Sequence, residues 1–422
     1  MEDPTDEDFC RVDTNSENET RSELSSVDAT GEDVEDAADS TSTPENLSAE
    51  EQKERLKWMA ELLVSADAMR ISSREVIGLR SMKREFREEL GSKQGRMQQK
   101  SMTDFIGHKS KSTRALLKMS GATLLFAHGG GFCKQIWDPI IRRLKISPIV
   151  HQLATEFVTF DFPYHGTKRD ESVAPKLHES NPTSLRVYHP AQDVLPSTTA
   201  EVQRQVQLLR ENYDAKGERP ALIGIGHSMG AGALWNAEVQ DPGTFDGLIL
   251  FEPVYGEDDP VVTDKVTSFL VGVTLQRKAL WSSRQEAVQY FETLKNFKSW
   301  DRESLAAYLQ GALIEDEAAG KTMLACHPHI EASLYCHKYL RFMDHELKRP
   351  KCSVRFHRGE RSNMLFTPHF EHAVKLCPEI YSIGEPMKNC AHLMVLEDPE
   401  STTNEIVNDL VKTAPFRKDT PK

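Results

Sequence analysis

Gly226-His227-Ser228-Met229-Gly230 follows the apolar run Ala221–Ile225 and precedes Ala231-Gly232-Ala233-Leu234, a stretch suited to a helix. A serine between two glycines at a strand-to-helix turn can be held in a strained position with its hydroxyl projecting. The N–H of the next residue, Met229, then faces a carbonyl oxygen placed above it. Two glycines flanking a serine also make ordinary turns, and the apolar strand before and small-residue helix after favour the nucleophile. One hundred residues upstream, His128-Gly129-Gly130-Gly131 follows another apolar run, Ala122–Ala127. Glycines let backbone approach a ligand without side-chain interference, so Gly130 is the first choice for a second N–H on the developing oxyanion. The chemistry these two segments could serve together is acyl transfer by attack of Ser228.

Such a serine needs a base, and the base needs an acid. The chain has 15 histidines, so a lone one means little. His392 stands out because Asn389-Cys390-Ala391-His392 lies after the last strand-like run and before a helical pattern from Glu400 to Val411. That is where the order serine, acid, histidine places the base. Two positions are open for the acid. Glu252 closes the apolar run Leu248–Phe251, 24 residues beyond Ser228. The other position lies in a G-x-x-D-x-x-x-x-P frame, which here reads Gly359-Glu360-Arg361-Ser362, with Pro368 beyond. Ser362 stands where the aspartate is expected and cannot act as a carboxylate, and Glu360 comes two positions early. Glu252 is the preferred acid and Glu360 the alternative. No H-E-x-x-H or other metal spacing occurs, and this chemistry is expected to need neither metal nor cofactor.

The elements that must position these groups are readable from apolar runs. Strands are predicted at Ala122–Ala127, Phe157–Asp161, Ala221–Ile225, Gly247–Phe251, Ser353–His357 and Tyr381–Ile383, with a helix over Ala200–Leu209. Strands apolar along their whole length, alternating with helices, indicate a mostly parallel sheet covered on both faces, an α/β class. Residues 256–350 break the alternation with helical patterns at Val262–Leu270, Arg284–Leu294, Asp301–Leu309 and His329–Met343, and no strand is predicted there. An insertion of that size between two parallel strands is expected to form a helical cap over the strand ends, where ligands bind.

Charge divides the chain further. Residues 1–50 hold 17 acidic and 2 basic side chains, so the net charge of −13 belongs to this segment and the remainder is nearly neutral. A tail so poor in large apolar groups is expected to be disordered. Residues 51–118, with 16 basic and 9 acidic groups, are read as a linker with helical runs. The globular domain is expected over 119–415 and a short tail over 416–422. Met1-Glu2-Asp3-Pro4 lacks the character of a secretory signal, no run is long and apolar enough to span a bilayer, and the seven scattered cysteines suggest reduced thiols. A cytoplasmic location is the expectation, with nuclear or peroxisomal placement open because no targeting signal is clear. No direct nucleic-acid partner is expected.

These residues resemble the α/β-hydrolase superfamily. His128–Ile140, Gly224–Ala231, Phe251-Glu252-Pro253 and Arg277–Ala287 look like fungal acyl-CoA hydrolases of the mycophenolic acid and AK-toxin biosynthesis type. The resemblance covers about 119–415. It implies a serine hydrolase of esters or thioesters, with acyl-CoA a candidate substrate, and an acid after the strand that follows the elbow, as Glu252 is. That subfamily has aspartate there and ends in a peroxisomal tail, which this sequence does not show. Serine in the elbow argues against the dehalogenase and epoxide-hydrolase chemistry of other capped relatives. A second, smaller resemblance is to the PCNA-binding box: Gln99, Met102, Phe105 and Ile106 fit its spacing, with Ile106 in place of the final aromatic. It implies an alternative reading, an adaptor recruited to a sliding clamp whose hydrolase domain is secondary or inactive.

Overall fold

A strand apolar on both sides has to be covered on both sides, and the computed structural model shows how this chain does it. The structure describes residues 121–179, 185–256, 259–316, 319–362 and 367–417. The expected acidic tail, the linker helices and the box of Gln99, Met102, Phe105 and Ile106 lie outside the described residues. The strands are β1 (Ala122–Ala127), β2 (Thr155–Thr159), β3 (Lys176–Glu179), β4 (Leu185–Tyr188), β5 (Ala221–His227) and β6 (Gly247–Phe251). They continue with β7 (Leu280–Trp281), β8 (Leu313–Asp316), β9 (Lys321–Leu324), β10 (Ser353–His357) and β11 (Tyr381–Ile383). The main sheet runs β11-β10-β6-β5-β1-β2, with every neighbouring pair parallel.

Successive side chains of a strand point to opposite faces, and the core divides accordingly. Leu124 and Phe126 of β1 join Ile223, Ile225, Ile249 and Phe251 on one face. Helices α1 (Asp138–Lys145) and, near the end of the chain, Pro399–Leu410 cover that face through Ile140, Leu144, Ile406 and Leu410. Leu125, Leu222, Leu248, Leu250, Val354 and Phe356 point the other way, against α2 (Val194–Lys216), α3 (Ser228–Gln240) and the helix Thr367–Leu376. β2 begins and ends two residues before the predicted run. Its pairing with β1 stops at Thr159, and the next polar residue, Asp161, uses its carboxylate to accept the backbone N–H groups of Lys134 and Thr167 at 2.8 and 3.0 Å.

The insertion between β6 and β10 departs from the helical expectation. It contains α4 (Pro260–Leu275), α5 (Arg284–Thr293), α6 (Arg302–Ala312) and α7 (Pro328–Leu334), but also an antiparallel sheet ordered β7-β9-β8. Strands of two to four residues are too short to show a two-residue period, which is why the sequence reading found none. The predicted helix from His329 to Met343 stops at Leu334. Beyond it the chain is held to the segment after β6 by two hydrogen bonds: Gly256 donates its N–H to the Leu340 carbonyl at 2.8 Å, and Phe342 donates its N–H to the Tyr255 hydroxyl at 2.7 Å. The antiparallel hairpin of β3 and β4 was likewise not anticipated.

Candidate active site

At the β5–α3 junction the two glycines meet steric limits. A Cβ on Gly226 would lie 2.7 Å from the Cα of Ala231, and one on Gly230 would lie 2.4 Å from the Ala127 carbonyl oxygen. Between them Ser228 adopts a φ of +52°, a left-handed conformation that a non-glycine residue holds only when its surroundings over-determine it. The hydroxyl reaches His392, in the loop between β11 and the helix Pro399–Leu410, with Oγ 3.1 Å from Nε2. On the opposite side of the ring, Nδ1 lies 2.6 Å from Oε2 of Glu252. A carboxylate only accepts, so Nδ1 carries the proton and Nε2 is left to accept from the serine.

Glu252 directly follows β6, is 1% exposed, and has a φ of +42°. Its own N–H donates to the His357 carbonyl at 3.0 Å. A buried carboxylate needs hydrogen-bond donors, and Glu252 has three. Besides His392, the Gly359 N–H donates to Oε1 at 2.8 Å and the Ser362 hydroxyl donates to Oε2 at 2.6 Å. The structure does not bring the alternative acid, Glu360, to His392. Its side chain, on the turn at residues 360–361, is exposed and accepts the Asn389 N–H at 2.9 Å.

The glycine loop after β1 runs close to the serine. A Cβ on Gly129 would lie 3.3 Å from the Ser228 Cβ. Two buried histidines fasten this loop. His128 accepts the Phe162 N–H on Nε2 at 3.1 Å, so its Nδ1–H donates to the Gly129 carbonyl at 2.8 Å. Because a trans peptide sets C=O and N–H in opposite directions, the Gly130 N–H then points away from His128. The Gly131 N–H is already engaged, donating to His165 Nε2 at 3.0 Å. Gly130 and Met229, the latter in the first turn of α3 where N–H groups lack intrahelical partners, are therefore the candidate oxyanion donors.

A third buried histidine, His227, donates from Nε2 to the His392 carbonyl at 2.8 Å and so ties the elbow to the loop of the base. Burial pushes the imidazoles of His128 and His227 down to about 3, helped by the neighbouring His165 in the first case and His392 in the second. Burial also lowers His165. All three are neutral scaffold groups. Sequence reasoning gave them no role, since their partners are backbone atoms that no spacing reveals.

The insertion supplies the remaining wall. Leu334 of α7 comes within 3.5 Å of where a Gly130 Cβ would sit, beside Met229. On the same helix Glu331 is paired with Arg277 at 2.6 Å, and its carboxylate fills the space a Cβ on Gly131 would need. Phe132 packs its ring against those of Trp300 and Tyr308, each with centroids 5.9 Å away. Among the described residues no group of three or more His, Cys, Asp or Glu could hold a metal ion, and no helix is long and apolar enough to cross a membrane.

Comparison with known proteins agrees with this architecture. A family model described as "Alpha/beta hydrolase family" matches residues 124–405. Two abhydrolase domain-containing proteins of Alternaria alternata, AKT2 and AFT2-1, are 29% and 28% identical over 96 residues. Those matches cover 23% of this chain and 35% of each relative, so the chain matches about a third of the length of these relatives. Among solved structures, the peroxisomal alpha-beta-hydrolase Lpx1 of Saccharomyces cerevisiae superposes with a TM-score of 0.54 at 16% identity. It covers 70% of this chain and 78% of its own, a likeness of fold.

Proposed function

This chain belongs to the alpha/beta hydrolase family, and from that premise we propose that it hydrolyses a carboxylic ester or thioester through an acyl-enzyme on Ser228. The observation that carries this is the continuous relay from Ser228 Oγ through His392 to Glu252, with contacts of 3.1 and 2.6 Å. His392 Nε2 takes the serine proton as Oγ attacks the acyl carbon. The N–H groups of Met229 and Gly130 receive the oxyanion, and Glu252 stabilises the imidazolium that forms. As the tetrahedral intermediate collapses, His392 gives its proton to the departing alcohol or thiol. It then takes a proton from the water that attacks the acyl-enzyme, and as the second tetrahedral intermediate collapses it returns that proton to Ser228 Oγ, which leaves as the acid is released. Acyl-CoA is the finer candidate, supported by the sequence resemblance of residues 128–140 and 277–287 to fungal acyl-CoA hydrolases.

Fluorophosphonate labelling tests the nucleophile, and hydrolysis of a panel of p-nitrophenyl esters and acyl-CoA thioesters tests the substrate class. Label on Ser228, with turnover lost in Ser228→Ala, is the expected result. Label elsewhere, or activity retained in Ser228→Ala, refutes it. The clamp-adaptor reading rests on Gln99, Met102, Phe105 and Ile106 alone, outside the described residues.

A further inference from the structure

We propose that Ser362 is a positioning residue of the acid–base pair, its hydroxyl fixing the Glu252 oxygen that faces His392. The inference rests on the serine-hydrolase reading above. Oε2 of Glu252 accepts from two donors at once, Ser362 Oγ at 2.6 Å and His392 Nδ1 at 2.6 Å. Oε1 accepts from the Gly359 N–H at 2.8 Å. The carboxylate is therefore pinned at both oxygens by the segment that follows β10, and only the remaining direction on Oε2 is left for the base. A glutamate has one more rotatable bond than an aspartate, so its carboxylate has more orientations to lose before it can meet an imidazole correctly. Ser362 removes that freedom at the oxygen where it matters. The hydroxyl also withdraws charge from that oxygen, because a hydrogen bond to the ionised form stabilises it.

Two effects of removing the hydroxyl follow. The carboxylate becomes less well oriented, which lowers the rate of the chemical step. The oxygen facing Nδ1 loses one of its two donors, so the acid–base pair that sets the pH dependence of the rate is altered directly. The titratable and charged groups beside the pair include His227, whose ring centroid is 4.9 Å from that of His392, Glu397, which accepts the Ala391 N–H at 2.6 Å, and Arg361, whose positive charge acts on Glu397. The Ser362 hydroxyl donates to Glu252 and to none of these.

The full-length protein is assayed with p-nitrophenyl butyrate across pH 5 to 9, comparing wild type, Ser362→Ala, Ser362→Thr and Ser228→Ala. Ser362→Ala is expected to lower kcat roughly 5- to 50-fold with KM changed less than about twofold, and to displace the acidic limb of the profile. Ser362→Thr, which keeps the hydroxyl, is expected to recover most of the rate and the wild-type limb. An inactive Ser228→Ala beside a Ser362→Ala indistinguishable from wild type in kcat and pH profile overturns the role of Ser362 and leaves the hydrolase reading standing. Loss of rate in Ser362→Ala with an unmoved acidic limb and a lowered melting temperature also overturns it, since that is what a merely structural serine would give. Full activity in Ser228→Ala overturns the hydrolase reading instead.

Discussion

β6 and β10 are adjacent strands of one sheet, paired so that Phe251 lies opposite His357, yet their ends contribute opposite things to the site. The β6 end supplies a buried charge, Glu252. The segment after β10 supplies uncharged donors, the Gly359 N–H and the Ser362 hydroxyl, and turns its own carboxylate, Glu360, outward to the Asn389 N–H. What His392 requires is an oxygen at its Nδ1, and the β6 end provides it through Glu252 while the β10 end reaches the same carboxylate through Ser362. The charge sits where donors converge on it. A motif frame marks where a strand ends, whereas the donors around that end decide whether it carries the acid.

The contrast can be broken most severely by neutralising the charge. Glu252→Gln is expected to reduce kcat/KM by roughly 10³ or more with little change in melting temperature, because the amide keeps the volume and loses the charge. Moving the charge across the gap is the next test. Glu252→Ala abolishes the relay, and adding Ser362→Asp is expected to restore at least about tenfold over Glu252→Ala alone, measured as kcat/KM on one ester. No recovery would mean that only the β6 end presents a carboxylate correctly. Glu360→Gln sets the lower bound: a change of less than about tenfold is expected, reversing the ranking if the outward carboxylate mattered more.

The neutral imidazoles around these strand ends sharpen the contrast through stability. His128 and His227 are pushed down to about 3 in the folded protein, below their usual 6.5. Below about pH 6.5 the unfolded chain binds protons that the folded chain refuses, so their contribution is complete above that pH and declines as pH falls towards 3. The slope is at most about 1.4 kcal/mol per pH unit for each group. Urea unfolding midpoints at pH 7.5 and 5.0 should therefore fall with acidity, and less so in His227→Gln. An equal loss in both proteins would exclude His227 as a source.

Much of the sheet was legible because its strands are buried on both sides. β1, β6, β10 and β11 begin and end where the apolar runs do, and the helix after Ser228 follows from its small residues. The juxtaposition of Ser228, Glu252 and His392 could be anticipated from chain order and strand ends. The donors to Glu252 could not, since one is a backbone N–H and the other a serine standing in an aspartate's place. The fastening of the glycine loop by His128 and His165 was hidden for the same reason. In the insertion, the two residues of β7 are too few to express any period, and the fate of residues 338–343 depended on Tyr255 and Gly256, far away in sequence.

The exits of β6 and β10 lie side by side at the end of their parallel ladder, and beyond it they are joined by the Glu252 N–H to the His357 carbonyl and the Gly359 N–H to the Glu252 carboxylate. The insertion between them is thus a loop closed by the sheet, whatever its own content. Closing a longer loop is entropically cheap, about 0.6 kcal/mol for each doubling of length. The chain can lengthen, shorten or rebuild that segment by evolutionary drift while the ends that frame Glu252 stay in register. The length of the insertion and the register that holds Glu252 are in this sense separable within one polypeptide.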